Sequence, residues 1–194
     1  MKLTGYEDLR VQRTISSIYM AFEKLICEKE YQKITVKELS EMAQINKKTF
    51  YRYYPTLDDL LAEMQAQYAK GFLEEVRKLQ YPRDLGKSVR SFFTYSAKQG
   101  EAYDRITASS VGNYVGIRQQ MIDSVMNSTW GESKEFNLLK NWEKRILLNF
   151  VEQTGLNVYK QWINQGKKES LEDVIESATA LMQGGVDDFL KLNN

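Results

Sequence analysis

Histidine is absent from this 194-residue chain, cysteine occurs once and proline twice. The missing histidine excludes Ser-His-Asp and Cys-His nucleophilic catalysis, and histidine-ligated zinc with them. A single cysteine, Cys27, leaves no partner for an internal disulfide, so a reducing compartment is expected. Pro55 and Pro82 are about 1% of the residues, against a usual ~5%, and proline is what helix interiors tolerate least. Long helices therefore meet few interruptions. No apolar run approaches the ~18 residues that a bilayer requires, and the opening stretch Met1–Asp8 has no signal-peptide core. Strand-like alternation, internal repeats and low-complexity tracts are also missing. The expectation is a soluble cytoplasmic protein with no membrane partner; most histidine-dependent enzyme classes are excluded, and no metal site or cofactor is nominated.

What is present fits a globular chain. Hydrophobic residues make up 42% and charged residues 27%, which allows a sizeable core in one domain or two small ones. The net charge of +1 nominates no partner. Its distribution is more informative. Residues 1–54 hold ten Lys/Arg and seven Asp/Glu, a balance of +3, whereas residues 55–194 hold seventeen and nineteen, a balance of −2.

Helical periodicity dominates. Between Arg10 and Lys29, the residues Ile15, Ile18, Tyr19, Phe22, Leu25 and Ile26 recur at spacings of three and four, forming one apolar stripe. Thr35-Val36-Lys37-Glu38 reads as a capping box opening a second, short helix. Gln44-Ile45-Asn46 ends it within ten residues, and Asn46 is a good N-cap for a third helix over Lys47–Tyr53. Pro55 stops that helix by excluding Tyr54 from helical geometry. Thr56 then caps a fourth, running to about Lys78, with Asp58 and Asp59 in its first turn. Tyr81-Pro82-Arg83-Asp84 is the clearest break. Beyond it the pattern predicts helices near 84–98, 101–110, 113–128, 135–165 and 170–191, and the fold class is all-α with about nine helices.

Three short helices with a tight turn between the second and third describe a helix-turn-helix, although short helices also occur in bundles. The third helix has distinctive chemistry. Lys47 and Lys48 occupy its first positions, where the macrodipole disfavours cations by roughly 0.3–1 kcal/mol each; a phosphate backbone nearby would reverse that sign. Phe50 and Tyr54, four apart, are assigned to the core. Tyr51 shares a face with Lys47, Arg52 with Lys48, and Tyr53 with Thr49. These side chains can hydrogen-bond phosphates and base edges, while adjacent lysines and clustered aromatics also fit a solvated face over a core.

The stretch Tyr31–Pro55, YQKITVKELSEMAQINKKTFYRYYP, closely resembles the signature of TetR-family transcriptional regulators. Upstream, Arg13-Thr14-Ile15 with Ile18, Ala21-Phe22 and Leu25 resembles that family's first helix, and Asp58-Asp59-Leu60-Leu61 the start of its fourth. The resemblance covers residues 10–65 and implies a helix-turn-helix DNA-binding domain over 1–55. Helix four, about 56–78, links it to an effector-binding and dimerisation domain over 79–194. Carried over position by position, it makes Lys47, Lys48, Thr49, Tyr51, Arg52 and Tyr53 the recognition-helix contacts, with Thr35 and Lys37 as secondary ones. Gln44 stands at the usual turn glycine, which implies a left-handed residue at some cost or a different turn. Leu57 stands at a common phosphate-touching lysine, so that contact is expected to be missing.

The implied partners are a palindromic double-stranded operator, a second copy of the chain held through the last two long helices, and an unknown small-molecule effector. Localisation would be bacterial and cytoplasmic, on the nucleoid when operator-bound. The aromatic candidates for the effector domain are Phe92, Phe93, Tyr95, Tyr103, Tyr114, Trp130, Trp142 and Phe150, with Arg90, Arg105 and Arg118 as possible anion partners; none is assigned to a pocket. For the dimer, Leu147, Phe150, Val151, Thr154, Val158 and Trp162 form one stripe, and Leu171 to Phe189 another. Ala178 and Gly185, seven apart, would allow close helix approach. The function implied is ligand-released repression. The alternatives are a regulator or coactivator controlled by a partner protein, or a helical enzyme with paired carboxylates, for which no pair is evident.

Overall fold

The computed structural model describes residues 9–108 and 129–192. Among them there are nine α-helices and one 3-10 turn, and no strand. In chain order these are α1 (Leu9–Glu28), the 3-10 turn (Tyr31–Lys33), α2 (Val36–Met42), α3 (Lys47–Tyr53), α4 (Leu57–Val76), α5 (Leu85–Lys98), α6 (Glu101–Ala108), α7 (Lys134–Leu138), α8 (Asn141–Asn164) and α9 (Leu171–Leu192). The fold is all-α, as the periodicity implied. The helix expected near 113–128, with Tyr114 and Arg118, lies outside the described residues, as do residues 1–8.

Local chemistry sets the boundaries. Thr35 Oγ1 accepts the Glu38 N–H at 3.3 Å while Glu38 Oε2 accepts the Thr35 N–H at 3.2 Å, the reciprocal capping box of α2. Asn46 Oδ1 accepts the Thr49 N–H at 2.7 Å and starts α3. Thr56 and Asp59 form a like pair at α4, with N–H to oxygen distances of 3.1 and 2.9 Å. Ser170 caps α9 through the Asp173 N–H at 3.1 Å. Each such cap is worth about 1 kcal/mol.

One expected helix is two. Instead of a single helix over 135–165, the chain leaves helical geometry at Leu139 (φ −65°, ψ 145°) and Lys140 (φ −68°, ψ 157°). Leu139 is buried there, and the Glu143 carboxylate accepts the Lys140 N–H at 2.6 Å, which begins α8 afresh. An apolar anchor and an N3 glutamate outweigh continued periodicity.

The described residues divide into two compact units. The first comprises 9–68 and 99–108. Its core contains Ile18, Phe22 and Leu25 of α1, Leu39 of α2, Phe50 of α3, Leu60 and Leu61 of α4, and Ile106 of α6. Helix α6 packs against α1. The Gln65 side chain donates to the Ile106 carbonyl at 2.8 Å, and Tyr68 and Tyr103 meet edge to face at 4.9 Å. The first unit thus draws on two separate stretches of the chain.

The second unit comprises 69–98 and 129–192, with α5, α8 and α9 packed on one another. Gly86 of α5 permits close approach to α9, since a Cβ there would lie 3.0 Å from Thr179 Cγ2. Arg90 and Glu172 form a two-pronged ion pair between the same helices. The core includes Val89, Phe93, Leu147, Val151, Tyr159, Ile175, Ala178, Met182 and Val186. Tyr81, whose bond to Pro82 is cis, stacks on Trp130 at 4.9 Å.

Candidate nucleic-acid interface

The turn between α2 and α3 decides how α3 is presented. Ile45 N–H reaches back to the Ser40 carbonyl at 2.9 Å and Gln44 N–H to the Glu41 carbonyl at 3.2 Å, a complete Schellman closure. That closure needs a left-handed residue, and Gln44 supplies it at φ 54°. Of the two options the sequence left open, the strained glutamine is the one found. A left-handed backbone costs a side-chain-bearing residue roughly 1–2 kcal/mol, part of which glycine would return in chain entropy. Gln44→Gly is therefore expected to stabilise the protein by about 0.5–1 kcal/mol, measured by denaturant unfolding.

Phe50 and Tyr54 fix the inner face of α3, being 0% and 1% exposed. Truncating a buried aromatic of this kind costs about 3–5 kcal/mol. The helix is anchored by one face only. Lys47, Lys48, Tyr51 and Arg52 are exposed on the other side. Tyr51 has 52% of its surface exposed, and its ring stands edge-on to Phe50 at 5.6 Å, so the buried ring aims the exposed one. Lys37, in the first turn of α2, is also exposed. Lys37, Lys47, Lys48 and Arg52 make no ion pair among the described residues. By contrast Lys29 pairs with Glu38 at 2.8 Å, and that bond, then Thr35, holds the Glu38 carboxyl below its ordinary range.

Three expected contacts stand differently. The Thr35 hydroxyl donates to Glu38 Oε2 at 2.9 Å and the Thr49 hydroxyl to Asn46 Oδ1 at 3.1 Å. Their protons are engaged beside the caps, and a phosphate offers acceptors only, so either threonine would give up its bond to Glu38 or Asn46 to reach one. Tyr53 is half-buried against the core. Leu57, in place of a lysine, is likewise half-buried and packed on the core, where it helps to dock α4. Cys27 is half-buried against the same core, and burial raises its thiol.

Sequence reading missed a polar cluster behind α3. Glu63 Oε1 of α4 accepts from the Tyr19 hydroxyl of α1 at 2.8 Å and from the Tyr54 hydroxyl at 3.2 Å, and Gln67 Nε2 donates to the Tyr19 oxygen at 2.8 Å. The members that meet at Glu63 lie 9 and 44 residues from it along the chain, beyond any helical spacing.

The effector candidates scatter. Phe93 and Trp130 are buried, and Phe92 and Tyr95 half-buried, in the second unit; Tyr103 is core of the first. Trp142 and Phe150 are exposed. Arg90 pairs with Glu172 and Arg105 with Glu101. Ala178 is buried within its own chain, so it is not available for close approach by a second copy. No helix among the described residues is long and apolar enough to cross a membrane, and none of their His, Cys, Asp and Glu side chains form a group of three able to hold a metal.

Residues 18–64 match the family model described as bacterial regulatory proteins, tetR family. The fold is similar to that of the transcriptional regulator FadR from Bacillus subtilis in complex with stearoyl-CoA, at 16% identity over 88% of this chain and 98% of that one, with a TM-score of 0.68. The fatty acid degradation regulator FadR from Bacillus halodurans is similar at 17% identity, 88% and 98% coverage and a TM-score of 0.65. A putative transcriptional regulator of the TetR family from Vibrio parahaemolyticus shares 19% identity, with 88% and 97% coverage and a TM-score of 0.58. No curated protein matches the sequence.

Proposed function

We propose that this chain, a member of the tetR family of bacterial regulatory proteins by its N-terminal domain, is a dimeric repressor that binds a palindromic operator through α3 and releases it on binding a small effector. The observation that carries the reading is the two-sided character of α3. Its inner face is locked by Phe50 and Tyr54, while Lys47, Lys48, Tyr51 and Arg52 stand outward, the cations without counter-ions among the described residues. A helix so anchored can enter a major groove, with the lysines and arginine reading guanine edges or gripping phosphates and Tyr51 donating its hydroxyl. Lys37 extends the phosphate contact from α2. Thr35, Thr49 and Tyr53 contribute less, because their polar groups or rings are already engaged.

The second unit holds the effector and the dimer contact in this reading. Trp142, Ile146 and Phe150 lie four apart on α8 with 50%, 50% and 37% of their surface exposed, and Leu181 of α9 has 68%. Such a stripe beside Gly184 and Gly185 suits an isologous two-fold contact. Half-buried Phe72 and Phe92, edge to face at 5.5 Å, with Tyr95, offer an apolar wall for an effector. The stearoyl-CoA held by one structural neighbour makes long-chain acyl thioesters of coenzyme A the first class to test. Effector binding to a state with the wrong spacing of recognition helices weakens DNA, and by linkage DNA weakens the effector by the same factor.

The test is fluorescence anisotropy of a labelled duplex that the protein selects from a random-sequence pool, titrated with stearoyl-CoA, free coenzyme A and stearate. Release by the acyl thioester alone supports the effector class. Retained binding in all three removes that class and leaves DNA binding standing.

A further inference from the structure

One carboxylate oxygen that receives two tyrosine hydroxyls sits at the end of α3. Glu63 Oε1 on α4 accepts from Tyr54, the residue that terminates α3, and from Tyr19 on α1, so three helices meet at one atom. Gln67, one turn further along α4, donates to the Tyr19 oxygen. Tyr54 is 1% exposed and its ring also packs on Phe50 at 5.8 Å. Burial first, and then the bonding within the cluster, raises the Tyr19 hydroxyl well above its ordinary range; burial does the same for Tyr54. Both phenols therefore keep their protons and remain donors.

The two ends of α3 are held differently. Its N-terminus is capped locally by Asn46, a bond that fixes the helix to its own turn. Its C-terminus leaves in extended geometry at Tyr54 (φ −130°, ψ 109°), and beyond the apolar core the directional contact there is the Tyr54–Glu63 bond. Apolar packing fixes which face of α3 is inward without a directional preference of its own, whereas a hydrogen bond weakens steeply off axis and adds an angular restraint. A rotation of α3 about its axis that stretched the Tyr54–Glu63 bond would carry Lys48 and Arg52 sideways with it.

The geometry points to Glu63 as a positioning residue for the recognition helix, with Tyr54 and Tyr19 as its two donors: it fixes the angle at which α3 presents its outer face, and so the discrimination between operator and other DNA. The inference rests on the DNA-binding reading above. It adds a determinant of specificity that touches no nucleic acid.

The experiment compares wild type, Tyr54→Phe, Glu63→Leu, Glu63→Gln and the double variant Tyr54→Phe/Glu63→Leu. Two probes are used: the duplex that wild type selects from a random-sequence pool, and a shuffled duplex of the same composition. Tyr54→Phe removes one oxygen and keeps the ring, so folding is retained; thermal unfolding is recorded for each variant. The expected result is a three- to tenfold loss of operator affinity for Tyr54→Phe and Glu63→Leu, with shuffled-duplex affinity within twofold of wild type. Glu63→Gln, which keeps an acceptor oxygen, should restore the operator preference. The double variant should be no worse than Glu63→Leu, because the Tyr54–Glu63 bond that Tyr54→Phe removes is already lost there. If Tyr54→Phe and Glu63→Leu leave the operator-to-shuffled ratio unchanged, or lower both affinities equally, the positioning role is overturned while DNA binding stands. If wild type selects no duplex at all, the DNA-binding reading falls and this inference with it.

Discussion

Replacing Lys47, Lys48 and Arg52 together by alanine is expected to lower operator affinity about a hundredfold or more, because removing a side chain that reads a base costs roughly 1–3 kcal/mol. Every cation withdrawn from a phosphate should also take about 0.9 from the log–log salt slope, in each half-site. The structure separates this loss from unfolding. All three side chains are exposed, and none is ion-paired among the described residues. Surface substitutions of that kind usually change stability by no more than about 0.5 kcal/mol. Removing the two lysines from the first turn of α3 relieves a repulsion with the helix dipole of a few tenths of a kcal/mol each. The variant should therefore melt at or slightly above the wild-type temperature while losing its DNA. Equal salt slopes in the two proteins would show that α3 does not face the phosphates.

The second large effect concerns association. Ile146→Lys combined with Leu181→Lys places two cations on the exposed stripe of α8 and α9, where the wild-type side chains have 50% and 68% of their surface open. The sedimenting species should move from twice the chain mass to the chain mass at micromolar concentration. Operator affinity should fall by about 10²–10⁴, the range that linking two half-site contacts supplies. Added lysines cannot weaken DNA binding by charge, so a loss reports separation of the subunits. The glycine pair refines this. A Cβ at Gly185 would lie 3.1 Å from the chain's own Phe150 Cζ, so the bareness of Gly185 already has a cause inside one chain. A Cβ at Gly184 would meet none of the described residues within 4 Å, which makes Gly184 the sharper probe. Gly184→Leu should leave the monomer intact and obstruct only a second copy.

The parts of this molecule that are legible in the sequence are those set by neighbours along the chain. The capping boxes at Thr35 and Thr56, the Asn46 cap and the stop before Pro55 all act over three or four residues, and α2, α3 and α4 begin where those signals stand. The inner and outer faces of α3 are readable for the same reason, since the spacing of Phe50 and Tyr54 fixes what remains outside. Contacts made across the fold are not. The engagement of the Thr35 and Thr49 hydroxyls depends on where carboxylate and amide oxygens settle. The Tyr19–Glu63–Tyr54 cluster joins three helices. The break at Leu139 is hidden because an apolar residue anchoring a turn looks the same in sequence as one continuing a stripe. Ala178 and Gly185 share one small-residue face by their spacing, yet Ala178 is buried within its own chain.

Two copies of α3 reading successive major grooves of one duplex would leave a paired footprint. Hydroxyl-radical footprinting on genomic fragments that the protein retains tests it most directly. The expected result is protection of an inverted repeat with half-site centres about one helical turn or a whole multiple of it apart, roughly 10–10.5 bp per turn, and disappearance of that pattern in the Lys47/Lys48/Arg52 alanine variant. Protection of a lone half-site, or an unchanged footprint in that variant, would contradict it.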